Sequence, residues 1–294
     1  MKPAPFEYYV PDSIEQALGL LREHGDTARL LAGGQSLVPA MNFRVVQPGV
    51  LIDLNRVGEL QYIRDDAATL HIGAMTRERD LELDPVVSKK TPLLAEAMPH
   101  VAHPQIRNRG TLGGSLANAD PAAELPVIML ALGARLKVRN ADGERWVEAR
   151  NFFVGMFATD LAADEMLVEI ELPAISSHTG WSFMEVAPRA GDYALMGVAA
   201  LVTLDEDRRC THARLVYLNA GDGPVEAMEA GSALEGKMPD SESIDAAIEL
   251  ASQKEINPFG NIHASPDFQR HLAQVLTRKA LKQAIERASK DILQ

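Results

Sequence analysis

Two short segments constrain this chain most: Ala32-Gly33-Gly34-Gln35-Ser36 and Thr111-Leu112-Gly113-Gly114-Ser115. Each is a glycine pair that follows an apolar or β-prone stretch and ends in a hydroxyl residue. Glycine permits a positive φ and a close approach of backbone to ligand, so that successive N–H groups can converge on an anion. One such turn is weak evidence. Two of them, with different helices following, predict a pyrophosphate gripped from both sides. A dinucleotide could then be held without the Gly-x-Gly-x-x-Gly fingerprint, which this sequence lacks.

Composition limits what surrounds these turns. At 294 residues, two domains are expected. With 41 acidic against 29 basic residues the net charge is -12, and no basic block offsets it, so neither nucleic acid nor an anionic membrane surface is an expected partner. The first ten residues lack a basic segment followed by an apolar one, and no apolar run reaches bilayer-spanning length, so the chain reads as cytoplasmic. Cys210 is the single cysteine, which excludes an internal disulfide, a cysteine-based zinc site and an iron–sulfur cluster held within this chain. Any such cluster must sit in a partner. His100 and His103 form a His-x-x-His, but Pro104 follows and no third ligand is near, so a polar helix end is expected and no metal site.

Local signals predict the elements. Ser13-Ile14-Glu15-Gln16 fits a capping box, and Ile14, Ala17, Leu18 and Leu21 form an apolar stripe that Gly25 ends. Arg29 to Ala32 and Val50 to Leu54 read as strands, with a short helix or extended loop over Ser36 to Phe43; the expectation is β-turn-β, not a βαβ unit. Tyr62 to Arg64 and Leu70 to Ile72 predict a hairpin, and Thr76 to Leu83 and Thr91 to Ala102 predict helices. Asp120 is a candidate N-cap with Pro121 at the first helical position. From Leu125 to Leu132 nearly every residue is apolar and Gly133 follows, which predicts a helix buried on most sides. Glu124 is then either a helix-dipole partner or an acceptor for ligand hydroxyls.

After Gly133, Ala134 to Val138, Arg145 to Glu148 and Met166 to Leu172 read as strands, with a hairpin turn at Asp142-Gly143. Pro173 to Gly180 is the best boundary, which divides the chain into domains at 1–176 and 177–294, the first with subdomains of about 1–57 and 58–176. Beyond it, Ser182 to Val186, Val198 to Leu204 and Ala213 to Leu218 predict a small antiparallel sheet, followed by helices at Ser241 to Gln253 and Ser265 to Leu293. Competing motifs fail: Gly231 to Met238 lacks the hydroxyl of a Walker A loop, and there is no Gly-x-Ser-x-Gly elbow.

In order along the chain, Ala32 to Pro39, Pro104 to Ser115, Asp120 to Pro126 and Gly191-Asp192-Tyr193-Ala194 resemble the medium, FAD-binding subunit of molybdenum hydroxylases. That family includes the flavoprotein of aerobic carbon monoxide dehydrogenase and the flavin domain of xanthine dehydrogenase. The resemblance spans nearly the whole chain. It implies an α+β protein: a two-part α/β FAD-binding domain of the vanillyl-alcohol-oxidase type, then a small α+β C-terminal domain. It also implies that Ala32, Gly33, Gly34, Gln35, Ser36, Thr111, Leu112, Gly113, Gly114 and Ser115 bind the FAD diphosphate. Asp120, Glu124, Leu167, Asp192 and Tyr193 are the other implied cofactor-binding residues, with Tyr193 beside the flavin ring.

Relatives often carry two basic residues where this chain has Pro188-Arg189, and a lysine near Glu185, so the charge around the flavin is expected to differ. The implied partners are a large molybdenum-cofactor subunit and a small subunit with [2Fe-2S] clusters, assembled as a dimer of heterotrimers. The implied function is to accept electrons from those clusters and pass them to an external acceptor. No side chain here is expected to be catalytic. Two other readings remain, a stand-alone flavin oxidase or reductase and a non-catalytic FAD-binding scaffold.

Overall fold

The computed structural model describes residues 1–292. The first lobe is built on a three-stranded parallel sheet in the order β1 (Glu7–Tyr9), β3 (Val50–Asp53), β2 (Ala28–Leu31). The helix Ile14–His24 packs on it. Ser13 caps that helix through the N–H of Gln16, and Gly25 ends it. Its stripe of Ile14, Ala17, Leu18 and Leu21 is buried with Val50 and Ile52.

β2 and β3 run parallel, Leu30 beside Ile52, and the chain between them carries the first glycine turn and the helix Leu37–Asn42. This corrects the β-turn-β expectation. The connection is a crossover, and the strand direction depends on pairing with β1 on the far side of β3, which no local signal encodes.

The second lobe is an antiparallel five-stranded sheet ordered β4 (Ile63–Asp65), β5 (Thr69–Gly73), β10 (Met166–Pro173), β6 (Arg135–Arg139), β7 (Glu144–Glu148). β10 is buried on both faces: Met166 and Val168 enter the core of the first lobe, while Leu167, Ile170 and Leu172 enter that of the second. A small hairpin, β8 (Phe153–Gly155) and β9 (Ala158–Thr159), leads back toward β10. Helices cover the sheet, including Pro85–Lys90, capped by Asp84 and absent from the expectations above. The segment Thr91 to Ala102 is helical only over Pro92–Ala97, with one tighter turn at Met98–His100 beside Pro99.

The helix Glu124–Leu132 is buried along its whole length, and Gly133 ends it at φ 67. It begins three residues later than the Asp120 cap predicts. Asp120 instead accepts from the Ala122 N–H at 2.9 Å within a turn that precedes the helix, so Glu124 is the first helical residue.

The C-terminal part is an antiparallel sheet ordered β11 (Thr179–Val186), β12 (Met196–Leu204), β13 (Cys210–Leu218), β14 (Val225–Glu226). Both faces are covered, which is why β12 is almost continuously apolar. Phe183, Ala199 and Val216 join the core of the second lobe, while Val198, Ala200 and Val202 pack toward the last helix, Pro266–Ile292. Ala280, Ala284 and Ala288, one turn apart, let that helix lie close on β11. A Cβ on Gly180 would stand 1.8 Å from the Ala284 carbonyl oxygen. Leu293, the expected end of the helix, lies outside the described residues. The preceding helix is regular over Ser241–Leu250 and widens to a π turn at Ala251–Glu255.

Candidate functional site

A cavity of about 760 Å³ runs between the first two lobes and the start of the C-terminal part. This size suits a cofactor. All of the residues expected to bind the cofactor line it except Leu112. That side chain is fully buried in the core of the second lobe, and its N–H donates to the Thr76 carbonyl at 3.1 Å, so Leu112 is turned away from the cavity.

The two glycine segments meet in the cavity wall but are built differently. The first is an open turn. Gly34 has φ 76, and among the described residues the N–H groups of Gly33, Gly34, Gln35 and Ser36 have no intrachain acceptor. Gly33 is buried and Gly34 and Gln35 are half-buried, and converging donors of this kind suit an anion.

The second segment is the first turn of the helix Leu112–Asn118, capped by Thr111 through the Gly114 N–H at 3.1 Å. Its N–H groups are already used: Gly113 donates to Ala74 and Ser115 to Thr111. This corrects the symmetrical picture of two anion nests. The second segment offers the hydroxyls of Thr111 and Ser115, and its glycines serve close packing. A Cβ on Gly114 would fall 3.2 Å from Ala32 Cβ, and one on Gly33 only 2.3 Å from the Arg109 carbonyl oxygen. Any larger side chain would push the two segments apart. The donor set and the tight cradle fit a diphosphate.

A clamp that sequence reasoning missed fixes this approach. The Asn55 side chain donates to the Ala32 carbonyl at 3.0 Å and accepts from Arg77 Nη2 at 2.6 Å, while Arg77 Nη1 donates to the Arg109 carbonyl. The first lobe, the second lobe and both glycine segments are thereby joined. Arg107 is buried and forms a two-pronged pair with Glu82, at 2.9 Å for each contact, and also donates to the carbonyls of Val101 and Ala102. Val101, Ala102 and Ile106 form part of the wall, so Arg107 braces the lining from behind.

Besides the glycine segments the lining includes Asp26, Arg29, Leu30 and Glu165. One end of the cavity holds Asp120, Glu124 and Tyr193, close enough to feel one another's charge, with Asp192 beside Tyr193. The loop carrying Tyr193 is anchored on both sides. Gly191 packs on the His103 ring, and the Asn219 side chain donates to the carbonyls of Ala194 and Leu195. Tyr193 itself is 68% exposed, an aromatic ring presented at the cavity mouth.

Behind that mouth the wall is acidic and poorly solvated. Burial, then the charge of Glu185, pushes the Glu124 carboxyl up to about 7. Burial, then the charge of Glu124, pushes Glu78 up to about 8. Burial also raises Asp120. Glu78 went unrecognised in the sequence because Glu78–Leu83 reads as a polar helix. Its burial comes from Gly110, where a Cβ would meet its carboxylate at 2.2 Å. The glycine preceding Thr111 was the only signal available.

Residues 4–175 match the family described as the FAD binding domain in molybdopterin dehydrogenase, and residues 181–284 match the CO dehydrogenase flavoprotein C-terminal domain. The chain is 42% identical over 288 residues to the 6-hydroxypseudooxynicotine dehydrogenase complex subunit alpha of Paenarthrobacter nicotinovorans, covering 98% of this chain and 97% of that one. Its fold superposes on a chain of carbon monoxide dehydrogenase from Hydrogenophaga pseudoflava with a TM-score of 0.95 at 38% identity, covering 98% and 99% of the two chains. The corresponding values for quinoline 2-oxidoreductase from Pseudomonas putida 86 are 0.92 and 39%, with 98% and 99% covered. With both domains matched in order, this chain belongs to the family of FAD-binding subunits of molybdopterin dehydrogenases.

Proposed function

We propose that the chain binds FAD along the full cavity and serves as the electron-transfer subunit of a molybdenum hydroxylase. The N–H groups of Gly33 to Ser36 and the hydroxyls of Thr111 and Ser115 hold the diphosphate; Gly113, Gly114, Ala32 and Gln35 complete the cradle. The flavin lies toward Asp120, Glu124, Leu167, Asp192 and Tyr193, and the adenosine toward Asp26 and Arg29. FAD, when bound, supplies two-electron chemistry that can be filled one electron at a time. The protein's own residues bind it, orient it and set the charge around it. The observation that carries this reading is the run of unpaired N–H groups at Gly33 to Ser36 set against the Thr111-capped helix.

The relatives named above as complex subunits support assembly with other chains. In this reading a small subunit with [2Fe-2S] clusters donates the electrons, a large subunit carries the molybdenum cofactor, and two such heterotrimers pair in the cytoplasm. The domains are 1–176, divided near residue 57, and 177–294. The separate parallel, antiparallel and C-terminal sheets support that division. Among the described residues no helix is long and apolar enough to cross a membrane.

The test is the visible spectrum of the purified chain, with the flavin released by mild acid and identified. One FAD per chain, reduced only when partner subunits and substrate are added, supports the reading. A protein that turns over alone is an independent flavin enzyme, and one whose FAD is never reduced is a scaffold. Colourless protein that does not take up added FAD refutes the site.

A further inference from the structure

Behind the acidic end of the cavity, Glu124, Glu185 and His100 lie close enough to feel one another's charge, and the last of them reaches solvent. Glu124 stands in the wall, 7% exposed, at the first position of its helix. Glu185, on β11, does not line the cavity; its side chain is 6% exposed and its Oε2 is buried with no hydrogen-bond partner. The other carboxylate oxygen lies 3.3 Å from His100 Nδ1, and the His100 ring is 38% exposed. Glu78, from the second lobe, adds another buried oxygen without a partner, Oε2, and lines the same cavity.

We propose that Glu124 is the group that exchanges a proton with the flavin ring when bound FAD is reduced, and that Glu185 and His100 connect it to solvent. The proposal rests on the FAD reading above. Iron–sulfur donors deliver electrons without protons, so a proton must reach the ring from the protein. Water cannot supply it freely where Glu124, Glu78 and Glu185 are all buried.

The charges facing Glu124 are those of Glu185, Asp120 and Glu78, with His100 opposing them. Arg107, the cation acting on Glu78, is committed to Glu82. Like charges crowded in a dry site retain a proton. Burial and Glu185 place that proton's release near neutral pH, where a group works best as both donor and acceptor. Tyr193, at the mouth of the same end, feels the charges of Asp120 and Glu124.

Two electrons from one-electron iron–sulfur donors enter the ring, and the Glu124 O–H bond breaks as an N–H bond forms on the ring, leaving Glu124 a carboxylate. Protonated His100 then returns a proton by way of Glu185 and is itself reprotonated by solvent. While Glu124 starts protonated, one proton enters the protein for every two electrons; above the pH at which Glu124 ionises that ratio changes.

The test measures the midpoint potential of the flavin against pH in the holoprotein, wild type beside Glu124→Gln and Glu185→Gln, with FAD content checked by acid release. The wild-type curve should change slope near pH 7, and Glu124→Gln should lose that change. Glu185→Gln should shift it to lower pH by about one unit, a tenfold change in proton affinity, because a negative charge that raises Glu124 is gone. Time-resolved infrared difference spectra after rapid reduction should show a transient loss of a protonated carboxyl band, refilled as the proton returns, in the wild type and not in Glu124→Gln. Should Glu124→Gln shed its flavin, Glu185→Gln decides alone, since Glu185 does not touch the cavity. Identical curves in yellow, fully loaded proteins overturn the proposal and leave the FAD site standing; a colourless wild type overturns both.

Discussion

Replacing Glu78 with glutamine should make this protein more stable, and only above a definite pH. Glu78 is 5% exposed, its Oε2 has no partner, and burial with the Glu124 charge pushes its carboxyl from 4.5 up to about 8. The folded protein therefore holds a proton that the unfolded chain releases. Such a raised value contributes stability that is fully present below the unfolded pKa and is lost as pH rises through the folded one. Between pH 4.5 and 8 the wild type must lose stability.

A shift of this size corresponds to about 5 kcal/mol at about 1.4 kcal/mol per unit. Because part of it is mutual repulsion with Glu124, which can relax by keeping its own proton, about 3 kcal/mol is the working expectation. That is a large fraction of an ordinary domain's stability. Glu78→Gln removes the titration and keeps the shape. Denaturant or thermal unfolding of the two proteins at pH 5 and pH 9 should give nearly equal stability at the lower pH and a stabilised variant at the higher. Any constant offset from the new amide cancels when the two pH values are compared. A difference that does not change with pH would refute the burial argument.

Three other outcomes follow from the same geometry. Gly33→Val should abolish FAD retention, because its Cβ would stand 2.3 Å from the Arg109 carbonyl, and Gly114→Val should do likewise against Thr111 and Ala32; the C-terminal sheet should stay protease-resistant. Full flavin occupancy in either purified variant would be the contrary result. Leu112→Ala should cost about 2–5 kcal/mol of stability while the folded fraction keeps its FAD, since that side chain fills core and not cavity; flavin loss at unchanged melting temperature would restore it to the site. Arg107→Met should destabilise by about 3–5 kcal/mol and weaken FAD binding, as it leaves Glu82 with only the more exposed Arg79 as a partner and two carbonyls of the lining unpaired; calorimetry and flavin titration of the same preparation would test both.

What was legible in the sequence follows from the range of the forces involved. Ser13, Gly25, Gly133 and the apolar stripe of the first helix act on their immediate neighbours, so their pattern could be read directly. The glycine pairs were legible for the same reason, although only the first is an open turn. The parallel pairing of β2 with β3 was not legible, because it depends on β1, which lies on the other side of β3 and some twenty residues earlier in the chain. The Asn55–Arg77–Arg109 clamp joins residues 22 and 32 positions apart and leaves no periodic trace.

The charge state of the site was the least legible property. Glu78 and Glu185 look in sequence like ordinary surface acids; one is buried by the absence of a side chain at Gly110 and the other by the seat of β11 against the turn that carries His100. The backbone proposed to receive the diphosphate is thus written locally as glycine. The protonation of the acidic wall is decided by which lobes close over three carboxylates, and a chain with the same glycine turns but a cation in place of Glu185 would present a cavity of different charge.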